Sequence, residues 1–213
     1  MKCDKRTMLL YAVTDRAWVG KQSLYEQVEC ALKGGATCVQ VREKNLDYEA
    51  FLKEAMDISA LCRQYKVPLF INDNVDIAIA CNAEGIHVGQ EDMAAAKVRE
   101  RVGDGMMIGV SVHSVEEARQ AVRDGADCLG VGAVFSTSTK KDADVLPRSD
   151  IKAICDAVDI PVVAIGGIKE ENILGLSGTG VDGVAIVSDI FSAEDIEGKC
   201  RRLLALSEKM TAG

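Results

Sequence analysis

Three side chains at alternate positions of one short segment could together bind a polyphosphate. Gln40, Arg42 and Lys44 are each two residues apart, so they project to the same side if the segment is an extended strand. An amide, a guanidinium and an ammonium suit the oxygens of a diphosphate, and Lys140 offers a further cation. The alternative is an ordinary ion-pair network, in which Arg42 and Lys44 pair with Glu43 and other nearby acids.

Two acidic residues, Asp73 and Asp92, each follow a short apolar run and precede a helical pattern. Either residue alone suits the N-cap of a helix, a role that Asp often performs. Taken together they predict a magnesium site, because Mg²⁺ is typically held by a few carboxylates together with waters and the phosphate oxygens of a substrate.

A pair of glycines, Gly166-Gly167, and a serine, Ser188, follow two later apolar runs. Glycines let backbone N–H groups approach a monophosphate closely, and the start of a following helix favours an anion. A tight turn without a ligand is the alternative for the glycine pair. The polar segment 136–147 is long for a connection and predicts a lid, although a solvated loop has the same composition.

The elements that must position these residues alternate strictly between short β-rich runs and longer helical patterns. Apolar spacing predicts helices at 24–32, 48–62, 115–122, 151–158 and 193–209. The predicted strands are eight, at 9–14, 37–42, 67–72, 85–88, 106–110, 128–131, 162–165 and 183–187. Alternation of this kind indicates a parallel sheet, and eight repeats favour a single α/β domain, residues 1–213, folded as a (β/α)₈ TIM barrel. In such a barrel, chemistry is expected at the carboxyl ends of the strands, where all the polar residues above are predicted to lie.

Composition narrows the function classes. The net charge of −8 and the lack of a basic stripe argue against nucleic-acid binding. No apolar run is long enough to cross a bilayer, and the amino terminus does not resemble a signal peptide. The eight cysteines form no Cys-x-x-Cys pair, which favours reduced thiols in a cytoplasmic protein. The partners expected are small molecules; a homo-oligomer is compatible with the sequence, which does not determine the oligomeric state.

An ordered set of segments along nearly the whole chain resembles the thiamine phosphate synthase family. The segments are Tyr-Ala-Val-Thr-Asp at 11–15, Gln-x-Arg-Glu-Lys at 40–44, Ile-Asn-Asp at 71–73, Gly-Ile-His-Val-Gly-Gln-Glu-Asp at 85–92, Gly-Val-Ser at 109–111, Thr-Ser-Thr-Lys at 137–140, Ala-Ile-Gly-Gly-Ile at 164–168 and Ala-Ile-Val-Ser at 185–188. Each segment alone is a weak signal, but the set in this order is highly specific.

The resemblance implies a transferase that joins hydroxymethylpyrimidine diphosphate to hydroxyethylthiazole phosphate, giving thiamine phosphate and pyrophosphate. It implies that Asp73 and Asp92 hold Mg²⁺ and that Arg42, Lys44, Lys140 and Ser111 are catalytic. The residues implied to bind the pyrimidine diphosphate are Gln40, Val41, Arg42, Glu43, Lys44, Asn72, Ser111 and Lys140. Those implied to bind the thiazole phosphate are Thr137, Ser138, Thr139, Gly167, Val187 and Ser188. Ser138 stands where the family often has proline, which affects the stiffness of that loop more than its chemistry.

Two other functions are compatible with parts of the pattern. A thiazole tautomerase shares the barrel and could use His113 as an acid or base, but it has no diphosphate that would require Asp73, Asp92 and Lys140. A phosphate-ligand sensor would need fewer charged residues than this chain carries. His87 lies within a predicted strand, where a structural role is the simpler interpretation. The sequence suggests no protein nucleophile, and a dissociative displacement of pyrophosphate would need none.

Overall fold

The eight strands close into one parallel barrel in which each strand pairs with the next and β8 returns to β1. The computed structural model describes residues 3–20, 22–136 and 144–213. The strands are β1 Leu10–Val13, β2 Cys38–Val41, β3 Leu69–Asn72, β4 Gly85–Val88, β5 Met107–Val112, β6 Cys128–Val131, β7 Val162–Ile165 and β8 Gly183–Ile186. The predicted (β/α)₈ barrel is confirmed, with three strands at the predicted bounds and the others shifted by one or two residues at an end.

Alternate residues of each strand face two separate apolar cores. One set packs between the strands and the helices, as Leu10, Val39 and Ile71 do. The other set fills the barrel lumen, where Tyr11 and Phe70 lie with ring centroids 5.5 Å apart. This two-sided burial is why the strands appear in the sequence as continuous apolar runs instead of alternating polar and apolar positions.

Helices surround the barrel and return the chain to its amino end. Within the described residues they are α1 Leu24–Lys33, α2 Tyr48–Tyr65, α3 Val75–Ala80, α4 Ala95–Val102, α5 Val115–Arg123, α6 Arg148–Asp156, α7 Ser188–Phe191 and α8 Ile196–Thr211. Several helices have a polar N-cap residue. Ser23 and Glu26 form a reciprocal capping box on α1, and Asp47 caps α2. The helix α6 begins three residues before its predicted start of 151, directly after Pro147.

The alternation of strand and helix has one exception. Between β7 and β8 the chain forms only a 3-10 segment, Ile173–Leu176. Gly178 and Gly180 follow it with φ of 76° and 88°, a left-handed conformation that ends the segment in a turn. This connection therefore lacks an α-helix, and α8 packs at this side of the barrel against both the 3-10 segment and α1.

Side chains at the amino end of the barrel hold the strands in register. Before each even-numbered strand, one polar side chain accepts a hydrogen bond from a backbone N–H near the start of the preceding strand. The four bonds are Leu10 to Thr37, Leu69 to Glu84, Ile108 to Asp127 and Val162 to Asp182, at 2.8–3.0 Å. This face supports stability, which leaves the opposite, carboxyl end of the barrel for chemistry. Among the described residues, no helix is both long enough and apolar enough to span a membrane.

Candidate active site

The basic side chains after β2 lie at the mouth of the barrel, as their spacing predicts. Gln40 is buried in the lumen and donates a hydrogen bond from Nε2 to the Tyr11 hydroxyl at 2.9 Å. Two residues further on, the Arg42 guanidinium lies 3.5 Å from Asp15 Oδ2. Two residues beyond that, the Lys44 ammonium forms an ion pair with Asp73, which follows β3.

The residues between these three face the other way. Val41 is fully buried in the core between strands and helices. Glu43 is buried as well and forms an ion pair with Arg16 at 2.7 Å. Strand alternation explains this arrangement. The Gln40, Arg42 and Lys44 side chains face the lumen and mouth. The Val41 and Glu43 side chains face the helix layer.

The two predicted metal ligands are neighbours. Asp73 follows β3 in a left-handed conformation, with φ of 62°, and its backbone N–H donates to the His87 carbonyl oxygen of β4 at 2.8 Å. Asp92 lies in the turn after β4, where Oδ2 accepts a hydrogen bond from the Gly89 N–H at 2.7 Å. The carboxylate of Asp92 is close enough to act on the ionisation of Asp73.

Burial raises the pKa of Asp73 above its ordinary value of 3.8, and the neighbouring Asp92 carboxylate raises it further, while Lys44 opposes both effects. A lone lysine therefore does not fully compensate the two acids. A divalent cation between them would remove that imbalance, because it favours the charged form of each carboxylate. The oxygen donors and the charge thus fit Mg²⁺.

Neither acid caps a helix, which was the alternative interpretation. The N-cap of α3 is Asn74, whose side chain accepts from the Ile77 N–H at 3.0 Å. The N-cap of α4 is Ala94, which makes no side-chain capping bond. Helix capping therefore does not account for either carboxylate. Among the described residues, no group of three or more His, Cys, Asp or Glu side chains is placed to hold an ion.

Ser111 lies on β5 and is held from two sides. Its Oγ is 3.0 Å from Nε2 of His87 on the adjacent strand, and its carbonyl oxygen accepts from Nε2 of Gln90 at 2.7 Å. Gly109, two residues earlier on β5, leaves room for the imidazole ring, because a Cβ there would lie 2.5 Å from His87 Nδ1. Asn72 ends β3 beside His87 in the strand register.

The glycine pair after β7 forms a turn that only glycine accommodates. Gly166 and Gly167 have φ of 100° and 66°, and a Cβ on Gly167 would collide with the carbonyl oxygen of Ser136. The Glu170 N–H, three residues further on, donates to Asp189 Oδ2 at 3.0 Å and so ties this turn to α7. Ser188 begins α7 directly after Val187. The turn and the first residues of α7 therefore lie side by side at the mouth.

Other predicted residues are placed elsewhere or fall outside the structure. Thr137, Ser138, Thr139 and Lys140, with most of the predicted lid, lie outside the described residues. His113 follows β5 and pairs with Glu117 of α5, with Nδ1 and Oε2 3.2 Å apart.

Several side chains in the site were not predicted from the sequence. Tyr11 contacts Gln40, Asp15 contacts Arg42, Gln90 contacts Ser111, and His87 points into the lumen, although its strand position favoured a purely structural role. The sequence signal available for these residues was strand alternation, because side chains two residues apart lie on the same face: His87 shares a face with Gly89, and Tyr11 shares one with Val13. Alternation alone does not say which of the two faces is the lumen.

Comparison with known proteins agrees with this geometry. A family model described as thiamine monophosphate synthase matches residues 10–190. A thiamine-phosphate synthase of Clostridium acetobutylicum is 48% identical over 200 residues, covering 94% of this chain and 95% of the relative. One from Chloroflexus aurantiacus is 45% identical over 198 residues, covering 92% and 91%. A solved thiamine phosphate pyrophosphorylase from Pyrococcus furiosus superposes with a TM-score of 0.89 at 38% identity, covering 97% of this chain and 98% of that one.

The family match spans all eight strands, and the relatives are similar over nearly their full length. The matched range, residues 10–190, contains both acids, the basic end of β2, Ser111 and the glycine turn after β7. The chain belongs to the thiamine monophosphate synthase family.

Proposed function

We propose that the mouth of this barrel condenses hydroxymethylpyrimidine diphosphate with hydroxyethylthiazole phosphate, releasing pyrophosphate and forming thiamine phosphate. The observation that carries the proposal is the convergence of Lys44, Asp73 and Asp92 from the ends of three neighbouring strands, with Arg42 two residues before Lys44 and paired with Asp15. Cations and a metal-binding acid pair in one place are what a departing diphosphate requires.

Asp73 and Asp92 would hold Mg²⁺, which neutralises charge on the diphosphate oxygens when it is bound. The chain's own cations complete that task. Arg42 has a planar guanidinium that can bind two phosphate oxygens at once, and Lys44 provides a second positive charge. Each of these side chains is held by one acid in the structure, Arg42 by Asp15 and Lys44 by Asp73, so both are oriented before the ligand arrives. Lys140, from the resemblance, would add a third cation.

The pyrimidine would lie deeper, against the lumen. Gln40 and Ser111 present polar groups at the top of the apolar lumen core, and Asn72 ends β3, one of the two strands between them. An amide and a hydroxyl can bond the ring nitrogens and amino group of a pyrimidine, and the apolar layer below would exclude water. The backbone at Val41 and Glu43, and not their side chains, would contact this substrate, because both side chains face the helix layer.

The thiazole phosphate would occupy the turn after β7 and the start of α7. Gly167 permits a close approach of the backbone, Ser188 offers a hydroxyl, and Val187 packs against the lumen core. Thr137, Ser138 and Thr139, from the resemblance, would bind the same substrate. The thiazole nitrogen then faces the methylene carbon of the pyrimidine: the carbon–oxygen bond to the diphosphate breaks, and the nitrogen–carbon bond forms.

The electron-rich aminopyrimidine allows the carbon–oxygen bond to break before the new bond forms. The protein's part is to stabilise the leaving group and to hold the two rings in line. The test is to mix the protein with both substrates and Mg²⁺ and to measure pyrophosphate. An electron-poor fluorinated pyrimidine should slow release strongly. An unchanged rate would contradict the dissociative path, and no pyrophosphate at all would contradict the reaction.

The comparisons do not favour the thiazole tautomerase alternative. That activity would use His113, which pairs with Glu117 on α5, and it would give the Asp73 and Asp92 pair no role. In the pyrophosphate assay above, neither a tautomerase nor a phosphate sensor would release pyrophosphate. We further propose that the enzyme works in the cytoplasm, where its eight free cysteines stay reduced.

A further inference from the structure

We propose that Arg16 is a positioning residue for the diphosphate site: by holding Glu43 on the helix side of β2, it keeps Arg42 and Lys44 turned toward the mouth. The inference rests on the proposed function, since it concerns how that site binds a diphosphate. Arg16 lies in the 3-10 turn Arg16–Trp18 after β1, and its guanidinium contacts Glu54 of α2 in the helix layer.

Arg16 binds two carboxylates with one guanidinium. Its Nε lies 3.0 Å from each oxygen of Glu43, and its Nη2 lies 2.7 Å from Glu54 Oε2 on α2. The Glu43 side chain is only 2% exposed. A carboxylate buried to this degree is costly unless it is paired and hydrogen-bonded, so the position of Glu43 depends on Arg16.

The orientation of Glu43 fixes that of its two neighbours. Successive side chains of an extended segment point to opposite sides, so a Glu43 anchored to the helix layer directs Arg42 and Lys44 to the mouth. The end of β1 reinforces this arrangement. Thr14 Oγ1 accepts the Arg42 N–H at 3.0 Å, and Asp15 takes the Arg42 guanidinium at 3.5 Å. Thr14, Asp15 and Arg16, which follow one another after β1, thus hold Arg42 and Glu43 of the next strand on opposite sides.

Removal of Arg16 would leave Glu43 and Glu54 facing each other without their shared cation. Burial already raises the pKa of Glu54 above 4.5, and Glu43 raises it further, while the hydrogen bond from Arg16 lowers it. The nearest relief for Glu43 is the pair of cations on either side of it in sequence. A Glu43 carboxylate drawn to Arg42 or Lys44 would compete with the diphosphate for them.

The test compares Arg16→Met with wild type, with inorganic pyrophosphate and Mg²⁺ as the probe in calorimetry and both substrates in kinetics. The pyrophosphate Kd and the KM for the pyrimidine diphosphate should rise roughly tenfold, whereas the KM for the thiazole phosphate should stay within roughly twofold. The double variant Arg16→Met/Glu43→Gln should recover most of the pyrophosphate affinity, because a neutral amide no longer competes. Arg16→Lys keeps the positive charge but lacks the planar guanidinium that binds two carboxylates, so its pyrophosphate affinity should lie between those of Arg16→Met and wild type.

Arg99→Met is the matched control. Arg99 is also partly buried and binds Asp127 at 2.6 Å, but at the amino end of the barrel. The Arg99→Met variant should have a lower Tm than wild type and bind pyrophosphate with unchanged affinity. If Arg16→Met lowers Tm and changes pyrophosphate binding no more than Arg99→Met does, or if the double variant recovers nothing, the positioning role is overturned. If Arg16→Met does not fold, Arg16→Lys answers the same question. Failure of wild type to bind pyrophosphate would instead overturn the proposed function.

Discussion

His87 Nε2 lies 3.0 Å from Ser111 Oγ, across the pairing of β4 with β5. The imidazole is buried in the lumen, and its ring also meets Tyr11 edge-on at 6.4 Å between centroids. This bond fixes the direction of the Ser111 hydroxyl at the floor of the proposed pyrimidine site. His87 therefore acts on the substrate site through Ser111.

Replacement of either partner should weaken the pyrimidine site alone. His87→Leu and Ser111→Ala should each lower kcat/KM for the pyrimidine diphosphate by roughly 5- to 100-fold, the equivalent of one buried hydrogen bond of about 1–3 kcal/mol. Because both changes remove the same bond, the double variant should lose little more than the worse single variant. Steady-state kinetics of the four proteins measures this, and losses that multiply would show that the two residues act separately.

Asp73→Asn should abolish the response to Mg²⁺ without unfolding the protein. Asparagine accepts the left-handed φ of 62° and is nearly the same size as aspartate, but it removes a partly buried charge that repels Asp92. The expected result is activity reduced by at least roughly 100-fold, with Tm in the absence of metal equal to or above that of wild type. Asp76→Asn is the control, since that side chain is 64% exposed and pairs with Arg101. A retained Mg²⁺ response in Asp73→Asn would remove the metal assignment.

Gly167→Ala should damage both stability and thiazole phosphate binding. An alanine at φ of 66° costs about 1–2 kcal/mol, and its Cβ would also push against the Ser136 carbonyl. Gly178→Ala is the matched control: φ there is 76°, but a Cβ would meet nothing within 4 Å. Both variants should show the backbone cost in thermal unfolding, and only Gly167→Ala should raise the KM for the thiazole phosphate. An equal KM for the thiazole phosphate in the two variants would show that the glycine turn is not part of the phosphate site.

Glu54 should make the protein relatively more stable as the pH falls. Its pKa in the folded chain is raised above 4.5 mainly by burial, so the folded state binds the proton more tightly than the unfolded state does. The cost of the ionised carboxylate is present above the raised pKa and disappears as the pH drops toward 4.5. The free energy of unfolding of wild type relative to Glu54→Gln should therefore increase as the pH falls from 7 to 5. A decrease over that range would mean that the Arg16 pair outweighs burial.

The order of elements could be predicted from the sequence because it depends on local patterns. Eight apolar runs of strand length, most of them separated by segments of helical length, favour a closed parallel barrel. The same logic placed Gln40, Arg42 and Lys44 on one side of a strand and put polar residues at the carboxyl ends. The missing helix between β7 and β8 was less visible, since glycines 178 and 180 act through their backbone conformation and not through a periodic pattern.

What only the tertiary structure decided is which side chains meet. Arg16 and Glu43 are 27 residues apart, and Lys44 and Asp73 are 29 apart, so each pairing depends on the register and closure of the barrel. The sequence left open whether Arg42 and Lys44 would pair with Glu43. In the structure Glu43 pairs with Arg16 instead, because strand alternation turns its carboxylate toward the helix layer, where the guanidinium of Arg16 lies. Residue types and order thus determined the chemistry available, and three-dimensional packing determined which charges face the mouth.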